Sequence, residues 1–329
     1  MSTDPRILNL SYSSLLTLHS CPRRFQLYKL GSQQDERPED QAGTLTFAYG
    51  HAVGRGIQRV LEGGSLDQIL LEEFLLWEPD LFSENTKQGK SFFTAWIAIR
   101  QFHSMRASGY LKGYELVEYQ GKAAAELSFS ILLPDGFVYR GFVDAVLQHS
   151  DTGEVMVLEC KTSSAATINP AQYKNSAQAI GYSIVLDAIF PELSSYKVLY
   201  LIYQSKQAEF VQLPFTKTYY QRALWIQELL LDLEMIKLYE NSEIYPMHGE
   251  SCFSYFRECE YYQTCTLSTT LLTEPLKEEA RIKLEESLDK FQIKISINDL
   301  IAAQLAKGAL NPTEVNVREN LDDILGELL

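Results

Sequence analysis

Asp144 closes the run Gly141-Phe142-Val143-Asp144, and fifteen residues later the chain reads Glu159-Cys160-Lys161. Two carboxylates can hold a hard divalent cation, and a neighbouring ammonium can orient or help activate a water and offset phosphate charge. That chemistry needs the three groups together at the ends of two adjacent strands. The turn residues allow it. Pro134-Asp135-Gly136 precedes a strand from Phe137 to Leu147, Ser150-Asp151-Thr152-Gly153 forms a second turn, and Val155-Met156-Val157-Leu158 is an apolar β run. A hairpin with that loop sets Asp144 beside Glu159. Strand alternation then points Glu159 and Lys161 one way and Cys160 the other, into the core. On its own, an acid and a lysine at a strand end also describe an ordinary solvated salt bridge.

The remaining elements must hold this hairpin. Ser11 or Ser13 can cap a helix that runs to about Leu30, and residues 31–45 read as a polar loop. A helix over Phe47 to Leu61 carries His51, and further helices are expected around 65–77 and 89–110. Strands follow near 113–120, 123–133, 137–148 and 154–161. A helix from about Ala171 to Phe190 leads to strands near 196–204 and 208–214, and Tyr219 to Tyr239 is a long amphipathic helix. Gln178 and Tyr182, four apart, share one helix face. Glu126, in the strand Ala125 to Leu132, is a candidate outer ligand or, more simply, a solvated glutamate.

Several short motifs occur in a fixed order. Ser11-Tyr12-Ser13-Ser14 and Cys21-Pro22-Arg23-Arg24-Phe25 come first, then Gly50-His51, Asp144, Glu159-x-Lys161, Gln178-x-x-x-Tyr182, and finally Cys252, Cys259 and Cys265. In that order the chain resembles the PD-(D/E)XK nucleases, in particular the RecB-like branch of iron–sulfur exonucleases, over about residues 10–266. The resemblance implies an α/β (α+β mixed) restriction-endonuclease-like core, a central mixed sheet flanked by helices. It implies a metal shell of His51, Asp144, Glu159 and the backbone carbonyl of Cys160, with Mg²⁺ or Mn²⁺ as the ion. Lys161 would orient the attacking water or stabilise developing charge, and Gln178 and Tyr182 would face the site.

The cysteines read independently as a thiolate set. Cys252-x₆-Cys259-x₅-Cys265 plus the distant Cys21 can bind zinc or an iron–sulfur cluster, and spacing does not choose between them. The resemblance favours a structural 4Fe–4S cluster on Cys21, Cys252, Cys259 and Cys265, with zinc as the alternative. Arg23 and Arg24 would then lie near it, contacting phosphates or pairing with surface acids.

The expected organisation is a helical region over 1–112, a nuclease core over 113–216, a helix and cysteine region over 217–270, and a helical appendage over 271–329. An odd count of five cysteines suits a reducing interior, no window reaches the length of a membrane span, and no signal pattern opens the chain; a cytoplasmic protein is expected, in the host cytoplasm if phage-encoded. The net charge of −14 points to weak non-specific DNA affinity and a confined basic path. Beyond Pro275 a charged helix runs to Phe291, and a shorter one ends about Lys307. Leu321, Ile324, Leu325 and Leu328 then share a face that can fold back or dock into a partner protein. The expected activity is a metal-dependent exonuclease on single-stranded DNA or DNA ends. Its alternatives are a catalytically silent DNA-binding scaffold of the same fold and a structure-specific endonuclease. Nothing in the sequence fixes an oligomeric state.

Overall fold

The structure, a computed structural model, describes residues 4–30, 41–81, 89–193, 195–254, 257–263, 265 and 274–307. A mixed sheet forms its centre. The strands are β1 (Asn9–Leu10), β2 (Tyr114–Leu116), β3 (Ala125–Leu132), β4 (Val138–His149), β5 (Val155–Ser163), β6 (Ser195–Gln204), β7 (Glu209–Thr218) and β8 (Ile293–Ser296). Their order is β8-β3-β4-β5-β6-β7, with β1 and β2 also paired to β4. The β3-β4-β5 meander is antiparallel, β5 and β6 are parallel, and β8 runs parallel to β3.

Helices cover both faces. On one lie α1 (Tyr12–Ser20), α2 (Pro22–Leu30), α7 (Ala177–Tyr182), α8 (Val185–Ile189), α9 (Tyr219–Ser242) and α11 (Ile297–Ala306). On the other lie α3 (Gln41–Leu61), α4 (Leu66–Leu76) and α5 (Phe92–Ala107). The outline is therefore the mixed α/β sheet flanked by helices that the motif order implied. The remaining described α-helices are a single turn at Pro5–Leu8, the four-residue α6 (Ala171–Lys174) and the 15-residue α10 (Glu274–Leu288). Ser11, Ser91 and Thr218 each close a capping box at the start of α1, α5 and α9, which fixes where those helices begin.

Local chemistry also explains where the elements differ from expectation. The single helix expected from Ser11 to Leu30 is two, because Cys21 is extended (φ −161°) and Pro22 starts the second. The helix expected over Ala171 to Phe190 is three pieces. Ser176 is extended (φ −61°, ψ 122°), and the Ser183 hydroxyl bonds the carbonyl of Ile180 instead of continuing the helix. The helix carrying His51 begins earlier, at Gln41. Residues 293–296 form an edge strand, an element missing from the helical reading of that segment. The apolar face at 321–328 and most of the polar stretch 31–45 lie outside the described residues. No helix among the described residues is long and apolar enough to cross a membrane.

Candidate active site

Asp144 and Glu159 meet where β4 pairs with β5. The ladder runs from Gln148–Val155 to Ala145–Leu158 and ends there, with Asp144 and Glu159 the next residue on each strand. The backbone N–H of Cys160 donates to Asp144 Oδ2 at 2.7 Å, and Lys161 Nζ donates to Glu159 Oε1 at 2.6 Å. Cys160 packs against the α3-side layer, so Glu159 and Lys161 project to the other face. The facing of β4 shifts at Asp144: Val143 packs in one layer and Ala145, two residues on, in the other. On β3, between the residues paired with Ala145 and Val143, Glu126 is in the left-handed region at φ 46°. Asp144 lies in the field of Glu159.

Burial is the leading influence on this cluster. It pushes the Asp144 carboxyl up, with the Glu159 charge adding, to about 8, against the pull of Lys161 and the Cys160 N–H. Glu159 is 1% exposed, and burial raises its carboxyl although Lys161 opposes the shift. Burial works to lower Lys161, but the charge and hydrogen bond of Glu159 outweigh it and hold the ammonium above its ordinary value. One ammonium thus balances one of two carboxylates. Glu159 Oε2 is also buried without a hydrogen-bond partner. An unbalanced carboxylate beside an unsatisfied oxygen is a donor set that suits a hard divalent cation.

His51 lies exposed on α3, one residue after Gly50, whose added Cβ would stand 3.6 Å from Thr162 Oγ1. That helix packs on the face of Cys160 rather than that of Glu159. Among the described residues no three His, Cys, Asp or Glu side chains are grouped so as to hold a metal ion. Gln178 and Tyr182 do reach the site's surroundings. Gln178 hydrogen-bonds Tyr182, and the tyrosine lies in the field of Glu159, Lys161 and Asp144. Its ring meets Phe129 edge-on at 5.6 Å.

Further tyrosines missed by sequence reasoning gather here. Tyr200 pairs with Glu159 across the parallel β5–β6 register, Tyr173 packs on Tyr200 at 5.0 Å, and Tyr139 and Tyr12 complete the group. Only Tyr12 carried a signal, as part of the early serine-rich motif. Glu126 borders a cleft of about 230 Å³ lined by Arg55, Gln58, Arg59, Glu62, Glu72 and Glu73 among others. Its four glutamates outnumber its two arginines, which disfavours a phosphate there.

The four remote cysteines come from both ends of the matched region into one neighbourhood. The N–H of Cys259 donates to the Cys252 carbonyl at 2.8 Å, and Arg23 Nε donates to the Cys265 carbonyl at 2.9 Å. Cys21 acts electrostatically on Cys259, whose thiol is raised mainly by burial. All four thiols are free. They share a region but are not drawn into a metal-holding group. Arg24 pairs with Glu260 at 2.9 Å beside them.

A family model described as the PD-(D/E)XK nuclease superfamily matches residues 9–266. Among solved structures, a crystal structure of a protein named "Putative exonuclease" from Eubacterium rectale aligns with TM-score 0.44 and 14% identity. The alignment covers 81% of this chain and 91% of that one, and at this distance it carries no argument about activity. No curated protein matches the chain.

Proposed function

The chain belongs to the PD-(D/E)XK nuclease superfamily, and from that premise we propose that it is a divalent-metal-dependent DNA exonuclease. It acts, in this reading, on single strands or DNA ends in recombination or repair. The observation that carries the metal-dependent part is the buried, unpartnered Oε2 of Glu159 beside a second carboxylate that Lys161 does not balance. Nucleases of the superfamily typically use Mg²⁺ or Mn²⁺.

Asp144, Glu159 and the Cys160 carbonyl would hold the ion, with His51 as the further ligand that the family resemblance supplies. The bound ion would polarise a phosphate oxygen and lower the pKa of a water. Lys161, held protonated by Glu159, is an electrostatic group and not a base: it orients the water and stabilises charge that develops on the phosphate. Tyr182 and Gln178 brace the same face. We assign Cys21, Cys252, Cys259 and Cys265 to a structural 4Fe–4S cluster on the family resemblance alone; their thiols are free but not drawn into a metal-holding group, and zinc is the competing occupant.

The test is degradation of end-labelled linear and circular single-stranded DNA with Mn²⁺ or Mg²⁺, wild type against Lys161→Ala. Loss of linear DNA alone, reduced by about 10²-fold or more in the variant, is expected. Cleavage of the circle would make it an endonuclease. No metal-dependent loss with either substrate would leave a DNA-binding scaffold.

A further inference from the structure

Residues 274–307 lie beyond the 9–266 span shared with the family, yet two of their elements are built into the core. β8 adds to the β3 edge, with Ile293 to Ser296 registered against Phe129 to Leu132. Just before it, Gln292 Oε1 accepts from the backbone N–H of Ser128 at 3.1 Å, and the Gln292 N–H donates to Ser128 Oγ at 3.1 Å. The ring of Phe291 lies 6.0 Å from that of Phe142, two residues before Asp144.

The second attachment is deeper. Asp187 on α8 receives three donors: Arg222 Nη2 at 2.6 Å, Lys307 Nζ at 2.7 Å and Gln304 Nε2 at 3.2 Å. Arg222 is wholly buried, 5.0 Å from the Tyr219 ring and 5.7 Å from that of Tyr196, and Lys307 lies 3.9 Å over Tyr219. Two cations on one recessed carboxylate make that carboxylate costly to displace. The Tyr196 hydroxyl in turn bonds Ser183, the residue after Tyr182. Contacts therefore run unbroken from α11 through Asp187, Arg222, Tyr196 and Ser183 to the helix that faces the catalytic carboxylates. That helix, α7, has only six residues and cannot hold itself; its place is set by what packs on it, including Trp225 against Gly181.

We propose that residues 291–307 are a clip that positions the active site, with Asp187 as the positioning residue that seats α7 and its Gln178–Tyr182 pair. The effect on catalysis rests on the nuclease reading; the mechanical coupling does not. The test uses the full chain carrying Lys307→Ala or Gln304→Ala, with Lys307→Arg as the conservative variant. Amide hydrogen exchange is read in metal-free protein, and kcat and KM on end-labelled single-stranded DNA with Mn²⁺. In the alanine variants we expect exchange over 177–182 to rise about tenfold while β4 and β5 stay protected. We also expect kcat to fall about tenfold with KM within about twofold, and Lys307→Arg to keep both near wild type. Faster exchange confined to 297–306, or unchanged kcat in an active enzyme, overturns the proposal. Should wild type prove inactive, the nuclease reading fails while the exchange data alone decide the clip. Lys307 retains 20% side-chain exposure, so its single substitution is the variant to use if others fail to fold.

Discussion

Lys161 can neutralise Glu159 or Asp144, not both, and the geometry gives it to Glu159. Asp144 then keeps its proton in the metal-free fold, with its carboxyl at about 8 against an ordinary 3.8. A carboxyl raised by folding adds stability that is complete below its unfolded pKa and is lost as pH rises through the folded one. The melting temperature of metal-free protein should therefore drop as pH climbs from about 4 to about 8, and Asp144→Asn should flatten that drop. Saturating Mn²⁺ should reverse it, because the ion favours the ionised pair. Melting in EDTA across pH checks this; identical slopes for wild type and variant would remove Asp144 as the cause.

Elements position these residues through close backbone approach. A Cβ at Gly141 on β4 would stand 2.7 Å from Tyr182 Cε1 and 2.8 Å from Phe129 Cε1. Both rings are packed, so Gly141→Ala must displace Tyr182 from the carboxylates, and we expect a loss of about 1–3 kcal/mol in urea unfolding with a lower kcat. Gly54 in the middle of α3 has nothing within 4 Å of its added Cβ. There alanine should stabilise by about 0.5–1 kcal/mol through helix propensity alone. Equal effects at the two sites would show that Tyr182 is not held by this contact.

At the scale of the molecule, the cysteine region ties the start of the matched span to its end, with Arg23 bonded to the Cys265 carbonyl across 242 positions. A cluster there would staple the two ends around the sheet. Anaerobically purified protein should contain about four iron and four sulfide per chain, as a Cys₄ cluster requires. Stoichiometric zinc without sulfide would exclude the cluster and leave the nuclease reading standing. The −14 charge and the acid-rich cleft beside Glu126 disfavour a broad basic face as the DNA contact.

The amino-acid sequence alone determined the site's local grammar. Turn residues at 134–136 and 150–153 and the apolar run at 155–158 make the hairpin, and alternation along it separates Glu159 and Lys161 from Cys160. Those preferences act over a few residues and are legible without partners. Tertiary structure decided the rest, since it depends on contacts between distant segments. Tyr200 meets Glu159 only because β6 lies parallel to β5. The helix expected over 171–190 gives way where Ser176 is extended and where the Ser183 hydroxyl bonds Ile180 and Tyr196. Residues 293–296, marginal as a strand by themselves, become one because the β3 edge offers unpaired backbone groups, with Gln292 bonded to Ser128 across 164 positions. The shift of facing at Asp144, beside the left-handed Glu126 of the neighbouring strand, is likewise something no period-two reading contains.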